Sequence, residues 1–165
     1  MPVSPAGLFS LPLYYLNQMV INSASFRTWT GTATPTLAQA YVHYFSAEAS
    51  AIVRPMAVIG WEPGFSLDSD VGGSRNYFNC SGDLYIIFEA TISSSLNEAD
   101  AAFTFTNNVG AVLKDMTTLS GTAGYLDIGN IKLVEGPYRP HEDEAQTNAD
   151  YFHIAFSIGW AGVPE

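Results

Sequence analysis

The chain is poor in residues that form covalent cross-links or bind phosphate. It contains one cysteine, Cys80, among 165 residues, so no disulfide can form within it, and a reducing compartment is the simpler interpretation. Six Lys and Arg residues stand against sixteen Asp and Glu, for a net charge of −10. The six cations are scattered, whereas binding to a nucleic acid backbone requires a cluster of them. We therefore expect no direct binding of nucleic acid, although an acidic wall can surround DNA without holding it.

Long apolar segments are also missing. No run of about 18 uncharged apolar residues occurs, which is the length that a membrane-spanning helix requires. The first 21 residues lack a basic stretch and are interrupted by Pro2, Pro5 and Pro12. We therefore expect neither a membrane span nor a signal peptide.

Charged residues are scarce as well, at 13% of the chain compared with about 25% in an average domain. Ser, Thr, Asn and Gly take their place. Such a surface favours protein–protein contact, because ordering long charged side chains at an interface is costly. The length fits one domain, and the chain shows no repeat, heptad pattern or dividing linker. We therefore treat residues 1–165 as a single domain.

The first part of the chain predicts two short helices. Apolar residues at helical spacing place the first at about Ser10–Asn22. An extended piece is expected at Ser25–Trp29. Thr34 followed by Pro35 marks the start of the second helix, since Thr caps a helix and Pro is tolerated in its first turn. The apolar side of that helix is expected to carry Leu37, Ala40, Tyr41 and Tyr44.

Four segments are typical of strands. In two of them apolar residues alternate with others, as in a sheet covered mainly on one side. Pro55 indicates a sheet edge or a bulge near the start of the first strand, and Gly129 a bend in the third. The predicted strands are Ala51–Trp61, Leu84–Ile92, Tyr125–Val134 and Tyr151–Trp160.

The longest predicted helix is Asn97–Thr117. Asn97 is a good cap, and the carboxylate of Asp100 suits the positive helix end. Gly121 and Gly124 are expected to close the helix. Its inner face is predicted to contain Ala99, Ala102, Phe103, Val109, Val112, Leu113 and Met116.

This order of elements predicts an α+β domain. We expect a mostly antiparallel sheet of about four main strands, with the helices packed on one face. Two polar loops, Phe65–Asn76 and Glu135–Asp150, exceed the usual connection of about four to six residues. Such long loops are either functional or mobile.

Few residues suggest metal chemistry, and we expect no metal, cofactor or catalytic residue. The His141–Glu144 run has the composition of a metal cluster, but a solvated loop tip is the simpler interpretation. Asp68, Asp70 and Gly72 resemble the start of a calcium loop, yet Asn79 stands where that loop requires Glu.

Three residues could act in catalysis, which keeps an enzyme as an alternative. Cys80 could act as a nucleophile with His153 as its base, although aromatic neighbours favour a buried filler. Glu89 lies in a predicted strand and could share a sheet face with His153. The alternative to a structural role is therefore a small α+β enzyme or ligand-binding domain with a pocket on the sheet face.

The order of elements contains several short strings that form a pattern. A helix leads into a stretch containing Phe and Trp, and a strand then begins with Arg-Pro. A strong strand, a long helix, a Gly-Pro-x-Arg turn and an aromatic final strand follow. The strings that carry this pattern are Ser25–Trp29, Arg54–Ile59, Leu84–Ile92, Asn97–Thr117, Gly136–Arg139 and Tyr151–Phe156. Together they resemble the tail-terminator proteins of long-tailed bacteriophages.

The resemblance implies a non-enzymatic ring, most simply a homohexamer, that caps the tail tube and joins tail to head. Its implied partners are further copies of the chain, the tail tube protein and head–tail connector proteins. The implied location is the tail or neck of the virion, after assembly in the host cytoplasm. Neck and head-completion proteins share much of this pattern, so the exact joint stays open.

The long loops supply the candidate interface residues. Aromatic residues and Arg carry much of the binding energy at interfaces, which directs attention to Phe65, Tyr77, Tyr138 and Arg139. We expect at least one of the two loops to contact a neighbouring subunit or the adjoining ring. The acidic run Glu142–Glu144 is expected at the rim or toward the channel, where its charges stay hydrated.

Overall fold

A computed structural model describes residues 10–45, 52–62, 66–70, 77–81, 83–139 and 151–162. Of residues 66–70, 77–81 and 161–162 it describes the backbone. The helices are α1 (Ser10–Asn22), α2 (Ala24–Thr30), α3 (Pro35–Ala38) and α4 (Glu98–Leu119), with one turn of 3₁₀ helix at Gln39–Tyr41. The strands are β1 (Val42–Tyr44), β2 (Met56–Trp61), β3 (Ser66–Asp70), β4 (Tyr77–Ser81), β5 (Leu84–Thr91), β6 (Asp127–Tyr138) and β7 (Tyr151–Gly162).

The main sheet has five strands in the order β1-β2-β5-β7-β6. β1 pairs with β2 in parallel, and the other three pairings are antiparallel. The α+β prediction agrees with this architecture, although the sheet is mixed and has one strand more than expected. All four predicted strands are present, although the first begins at Met56, after Pro55, and not near Ala51. Pairing of β6 with β7 is irregular between Ile128 and Asn130, which agrees with the predicted bend at Gly129.

The core lies between one face of the sheet and the helices. Alternate residues of β5 and β7 point into it, and directly opposite positions share that face. Phe88, for example, is fully buried, and its ring contacts those of Trp29 and Phe156. The sheet residues of this core are Val42, Ala57, Ile59, Leu84, Ile86, Phe88, Ala90, Phe152, Ile154, Phe156 and Ile158.

Helix α1 matches its predicted bounds, but the prediction for Ser25–Trp29 was wrong because this segment belongs to α2. Its aromatic and β-branched residues favour an extended chain. A distant carboxylate contacts the start of the helix: Asp115 of α4 accepts hydrogen bonds from Ser23 Oγ and Ser25 N, both at 2.8 Å. Ser23 also caps α2 with its own side chain.

The second predicted helix is shorter than expected. Thr34 and Pro35 start α3 as predicted, but the helix ends at Ala38 and the chain enters β1 at Val42. Tyr44 therefore lies in a strand, and Leu37 is exposed instead of buried. The parallel pairing with β2 that creates β1 is a long-range contact that local spacing does not predict.

Helix α4 begins and ends close to the predicted positions. Asn97 caps it by accepting a hydrogen bond from the amide of Asp100 at 2.9 Å. Gly121 and Gly124 follow its end with φ of 75° and 89°. These values are favourable for glycine and strained for other residues, so both glycines suit the turn that leads into β6.

The buried face of α4 differs from the prediction at its N-terminal end. Phe103 is 65% exposed, whereas Phe105 is buried and stacks on Phe152 with ring centroids 5.4 Å apart. The predicted inner face covered too much of the helix circumference, because one narrow stripe of side chains is buried. That stripe consists of Ala101, Phe105, Val109, Val112 and Met116.

Both predicted loops contain strand residues. β3 and β4 pair as an antiparallel hairpin inserted between β2 and β5, so Phe65–Asn76 is not a continuous loop. β6 continues to Tyr138 and therefore includes the start of Glu135–Asp150. Residues 140–150 lie outside the described residues. Within the described parts of the chain, no helix is long and apolar enough to cross a membrane.

Candidate functional site

The face of the sheet opposite the helices carries a row of side chains across four strands. The register places Met56, Glu89, His153 and Tyr138 opposite one another on β2, β5, β7 and β6. Directly opposite residues project from the same face. Arg54 precedes β2 and reaches this row from the end of the sheet.

Five of these side chains form a connected polar group, which we call the open-face network: Arg54, Glu89, Glu135, Tyr138 and His153. His153 lies between two carboxylates, with Nδ1 3.2 Å from Glu89 Oε1 and Nε2 3.0 Å from Glu135 Oε2. Arg54 donates to Glu89 Oε2 from Nε at 3.0 Å and from Nη2 at 2.9 Å. Tyr138 Oη lies 3.4 Å from Glu135 Oε2, and its ring packs near the His153 ring.

The network holds Glu89 as a carboxylate. Burial alone would raise the pKa of Glu89, but hydrogen bonds and positive charge from His153 and Arg54 outweigh it and lower the pKa below its ordinary value. The Arg54 guanidinium is itself fixed, because its central carbon lies 3.8 Å from the centre of the Tyr151 ring. A carboxylate bound in this way is a weak proton acceptor, which disfavours a general-base role.

A groove of about 450 Å³ opens on the same face of the sheet. Its floor includes Ile87 and Ala155, and Asp83 accepts a hydrogen bond from buried Ser157 at 3.0 Å. Glu89 and His153 do not line it. The lining residues are Glu62, Asp83, Tyr85, Ile87, Lys132, Val134, Ala155, Phe156 and Ser157.

Two of the four predicted interface residues are adjacent at the edge of the sheet. Tyr138 ends β6 with 46% of its surface exposed, and exposed Arg139 follows it. β6 is an outer strand, and among the described residues its far side pairs with no other strand. Leu133 and Val134 on the same strand are also exposed. The structure thus combines an unpaired strand edge, apolar side chains and both candidate residues.

The other predicted site residues are less completely described. Phe65 lies outside the described residues, and Tyr77 belongs to β4, of which the structure describes the backbone. Cys80 also belongs to β4. Asp68 and Asp70 lie in β3, while His141–Glu144 falls outside the described residues. Within the described ranges, no three His, Cys, Asp or Glu side chains form a group that could hold a metal.

Sequence reasoning anticipated part of the open-face network. The shared face of Glu89 and His153 was considered, and the register of β5 with β7 confirms it. The roles of Arg54 and Glu135 were missed. Arg54 fell inside the predicted strand Ala51–Trp61, but the strand begins at Met56, so alternation along it does not give the position of Arg54. Glu135 was assigned to a loop and had no predicted face. Alternation along β6 would have been the only guide to Glu135, and the register shifts on both sides of it disrupt that pattern.

Comparison with known proteins gives no further assignment. No protein-family model matches the chain, and no curated protein matches it significantly.

Proposed function

We propose that this chain is a structural, non-enzymatic subunit that assembles with copies of itself into a ring of the tail-terminator type. In this proposal six subunits cap the tail tube of a bacteriophage and contact the tube protein on one side and head–tail connector proteins on the other. The ring acts in the tail or neck of the virion after assembly in the host cytoplasm. The element order and the strings quoted above supply this identification by resemblance.

The observation that carries the self-assembly part is the outer strand β6. Its residues from Lys132 to Tyr138 are all exposed, and among them Leu133 and Val134 expose 51% and 55% of their surfaces. A long strand edge with apolar side chains invites pairing or aggregation, and proteins usually shield such edges. A neighbouring subunit that covers β6 would supply that shield.

Closure into a ring needs a heterologous contact, in which two different surfaces of the subunit meet. The sheet offers two such surfaces, since β6 forms one edge and the short parallel strand β1 the other. Exposed Tyr44 and Phe45 lie on or beside β1. Two apolar edges on opposite sides of one sheet suit head-to-tail contacts between copies.

The net charge of −10 fits a channel through which DNA passes. Negative charge along the wall repels phosphate, so the DNA would slide without being held. In this proposal the acidic run Glu142–Glu144 faces the rim or the channel. No specific recognition of nucleic acid is required.

The direct test of the interface is the substitution of Tyr138 and Arg139 by Ala. Tyr138 is half-exposed and its described polar contact is a long one to Glu135, so its removal should change subunit stability by less than about 1 kcal/mol. Interface anchors of this kind contribute about 2 kcal/mol or more each, so assembly should weaken at least about thirtyfold. Sedimentation measures assembly, and chemical denaturation measures stability.

Phe103→Ala is the matched control. Phe103 is also an exposed aromatic residue, with 65% of its surface exposed, but it lies on α4 and on neither of the two edge strands. Its replacement should leave assembly unchanged. Equal assembly of the Tyr138→Ala, Arg139→Ala and parent proteins, with equal yields of infectious particles, would contradict a role for the end of β6.

The groove favours a second candidate function, the binding of a small molecule on the sheet face. Apolar residues line much of it, and Lys132 offers a positive charge at its side. An aliphatic carboxylate such as octanoate is therefore a suitable probe. Saturable shifts in the NMR signals of Ile87, Lys132 and Ala155 would support this alternative, and unchanged spectra would contradict it.

A further inference from the structure

Because His153 lies between two carboxylates, its protonation state determines how many of the two contacts can be hydrogen bonds. An ionised carboxylate accepts hydrogen bonds and cannot donate them. The contacts to Glu89 and Glu135 are both hydrogen bonds only when both ring nitrogens carry a proton, as in the imidazolium form. A neutral ring carries one proton and can therefore keep only one of the two.

Glu89 and Glu135 differ in how easily each can lose its contact with His153. Glu89 lies on the central strand with 12% of its side chain exposed, and its second oxygen is held by Arg54 at 2.9 Å. The Glu135 side chain is 51% exposed, and its other polar contact among the described residues is the 3.4 Å approach of Tyr138 Oη. Water can replace the partners of Glu135 far more easily. A neutral His153 should therefore keep Glu89 and release Glu135.

The stretch that Glu135 anchors pairs irregularly with β7. Pairing of β6 with β7 shifts register between Leu133 and Glu135 and again between Glu135 and Tyr138. Beyond Leu133 the aligned pairs are Glu135 with Ala155 and Tyr138 with His153. Side-chain contacts therefore contribute much of what fixes the end of β6. Loss of the Glu135 contact should loosen Glu135–Tyr138 without unfolding the sheet.

We infer that His153 is a proton-controlled latch for the end of β6, and that it regulates the surface formed by Tyr138 and Arg139. The regulatory part rests on the proposed function, in which this surface contacts a second copy of the chain. The ionisable groups around the ring are Glu89 from β5 and Glu135 and Tyr138 from β6. Arg54 contacts the other oxygen of Glu89, and the Tyr151 ring packs against Arg54. A protonated latch presents an ordered interface, and a neutral latch does not.

The latch is tested by amide hydrogen exchange at one acidic and one alkaline pH, at which ring ¹⁵N shifts show two protonated nitrogens and one protonated nitrogen on His153, respectively. Exchange rates at Glu135, Gly136 and Tyr138 are divided by the intrinsic rate at each pH. Protection should be about two- to fivefold higher at the acidic pH, the range for a partly exposed ion pair.

Glu135→Gln separates the latch from general charge effects. The glutamine amide can accept from a protonated ring or donate to a neutral one, so the pH step in protection should disappear. Asp127→Asn is the control, because it removes one carboxylate from the other end of β6. It should retain the step. A parent protein without the step, or a step that persists in Glu135→Gln, would overturn the latch.

Assembly is measured separately on the same three proteins by sedimentation at both pH values. Regulation predicts that acid strengthens association more in the parent and in Asp127→Asn than in Glu135→Gln. Equal pH dependence in all three would overturn the regulatory role. A failure to associate at either pH, both in solution and on purified tail tubes, would contradict the proposed function instead, and the exchange data would still decide whether the latch exists.

Discussion

Replacing Arg54 by Ala should reveal how strongly the open-face network stabilises the fold. Two nitrogens of Arg54 contact Glu89 Oε2, and the two side chains retain only 18% and 12% of their accessible surface. Breaking a fully buried ion pair costs about 3–5 kcal/mol because it leaves one charge uncompensated. His153 still contacts Glu89, which reduces that cost, whereas loss of the stacking on Tyr151 adds about 0.5–1 kcal/mol. We expect a destabilisation of about 2–4 kcal/mol near neutral pH.

The cost of Arg54→Ala should depend on pH with a definite sign. The folded protein lowers the pKa of Glu89 below its ordinary value of 4.5. The associated stabilisation is therefore complete above about pH 4.5 and is lost as the pH falls through the lower folded pKa. Once Glu89 is protonated, Arg54→Ala no longer breaks an ion pair with it. The destabilisation should thus shrink toward the stacking contribution of about 1 kcal/mol as the pH falls through the folded pKa of Glu89.

The assay is urea denaturation of the parent and variant proteins at several pH values, followed by tryptophan fluorescence. Lys132→Ala provides the control, since it removes an exposed cation from the same face and should change stability by less than about 0.5 kcal/mol. A cost of Arg54→Ala that is equal at acidic and neutral pH would refute the electrostatic reasoning. A cost no larger than that of the control would show that the network contributes nothing to stability.

Two further substitutions test the packing. Asp115→Ala removes the acceptor for Ser23 Oγ and Ser25 N, so denaturation should show a loss of about 1.5–3 kcal/mol, with reduced helical signal if α2 unfolds first. Phe88→Ala should reduce stability by about 3–5 kcal/mol, because Phe88 is fully buried between Trp29 and Phe156. Phe103→Ala should change it by less than about 0.5 kcal/mol, which a helical stripe through Phe103 would contradict.

The elements that could be predicted from the sequence are those whose stability is local or periodic. Asn97 and Asp100 mark the start of α4, and the alternation in β5 identifies a strand with one face in the core. The extended prediction for Ser25–Trp29 overlooked a local signal, because Ser23 caps α2, and the hydrogen bond from Ser25 N to Asp115, ninety residues away, adds a long-range contact. β1 could not be predicted, since its three residues form a strand through long-range pairing with β2.

The site was predictable in its parts but not in its connections. Side chains alternate between the two faces along each strand, so Glu89 and His153 could share a face. Only the register shows that they lie directly opposite each other. Glu135 could not be placed, since the irregular pairing of β6 with β7 breaks the alternation around it. Tyr138 was chosen as an exposed anchor, and its contact with His153 required the same register.

The most direct test of the proposed function is the mass of the assembled chain, alone and on purified tail tubes. Light scattering over a wide concentration range, with electron microscopy of the tube ends, measures both. The proposal predicts a closed species with about six times the mass of the 17.8 kDa subunit, present in solution or formed on the tube. A strict monomer at every concentration, together with tube ends that carry no ring, would contradict it.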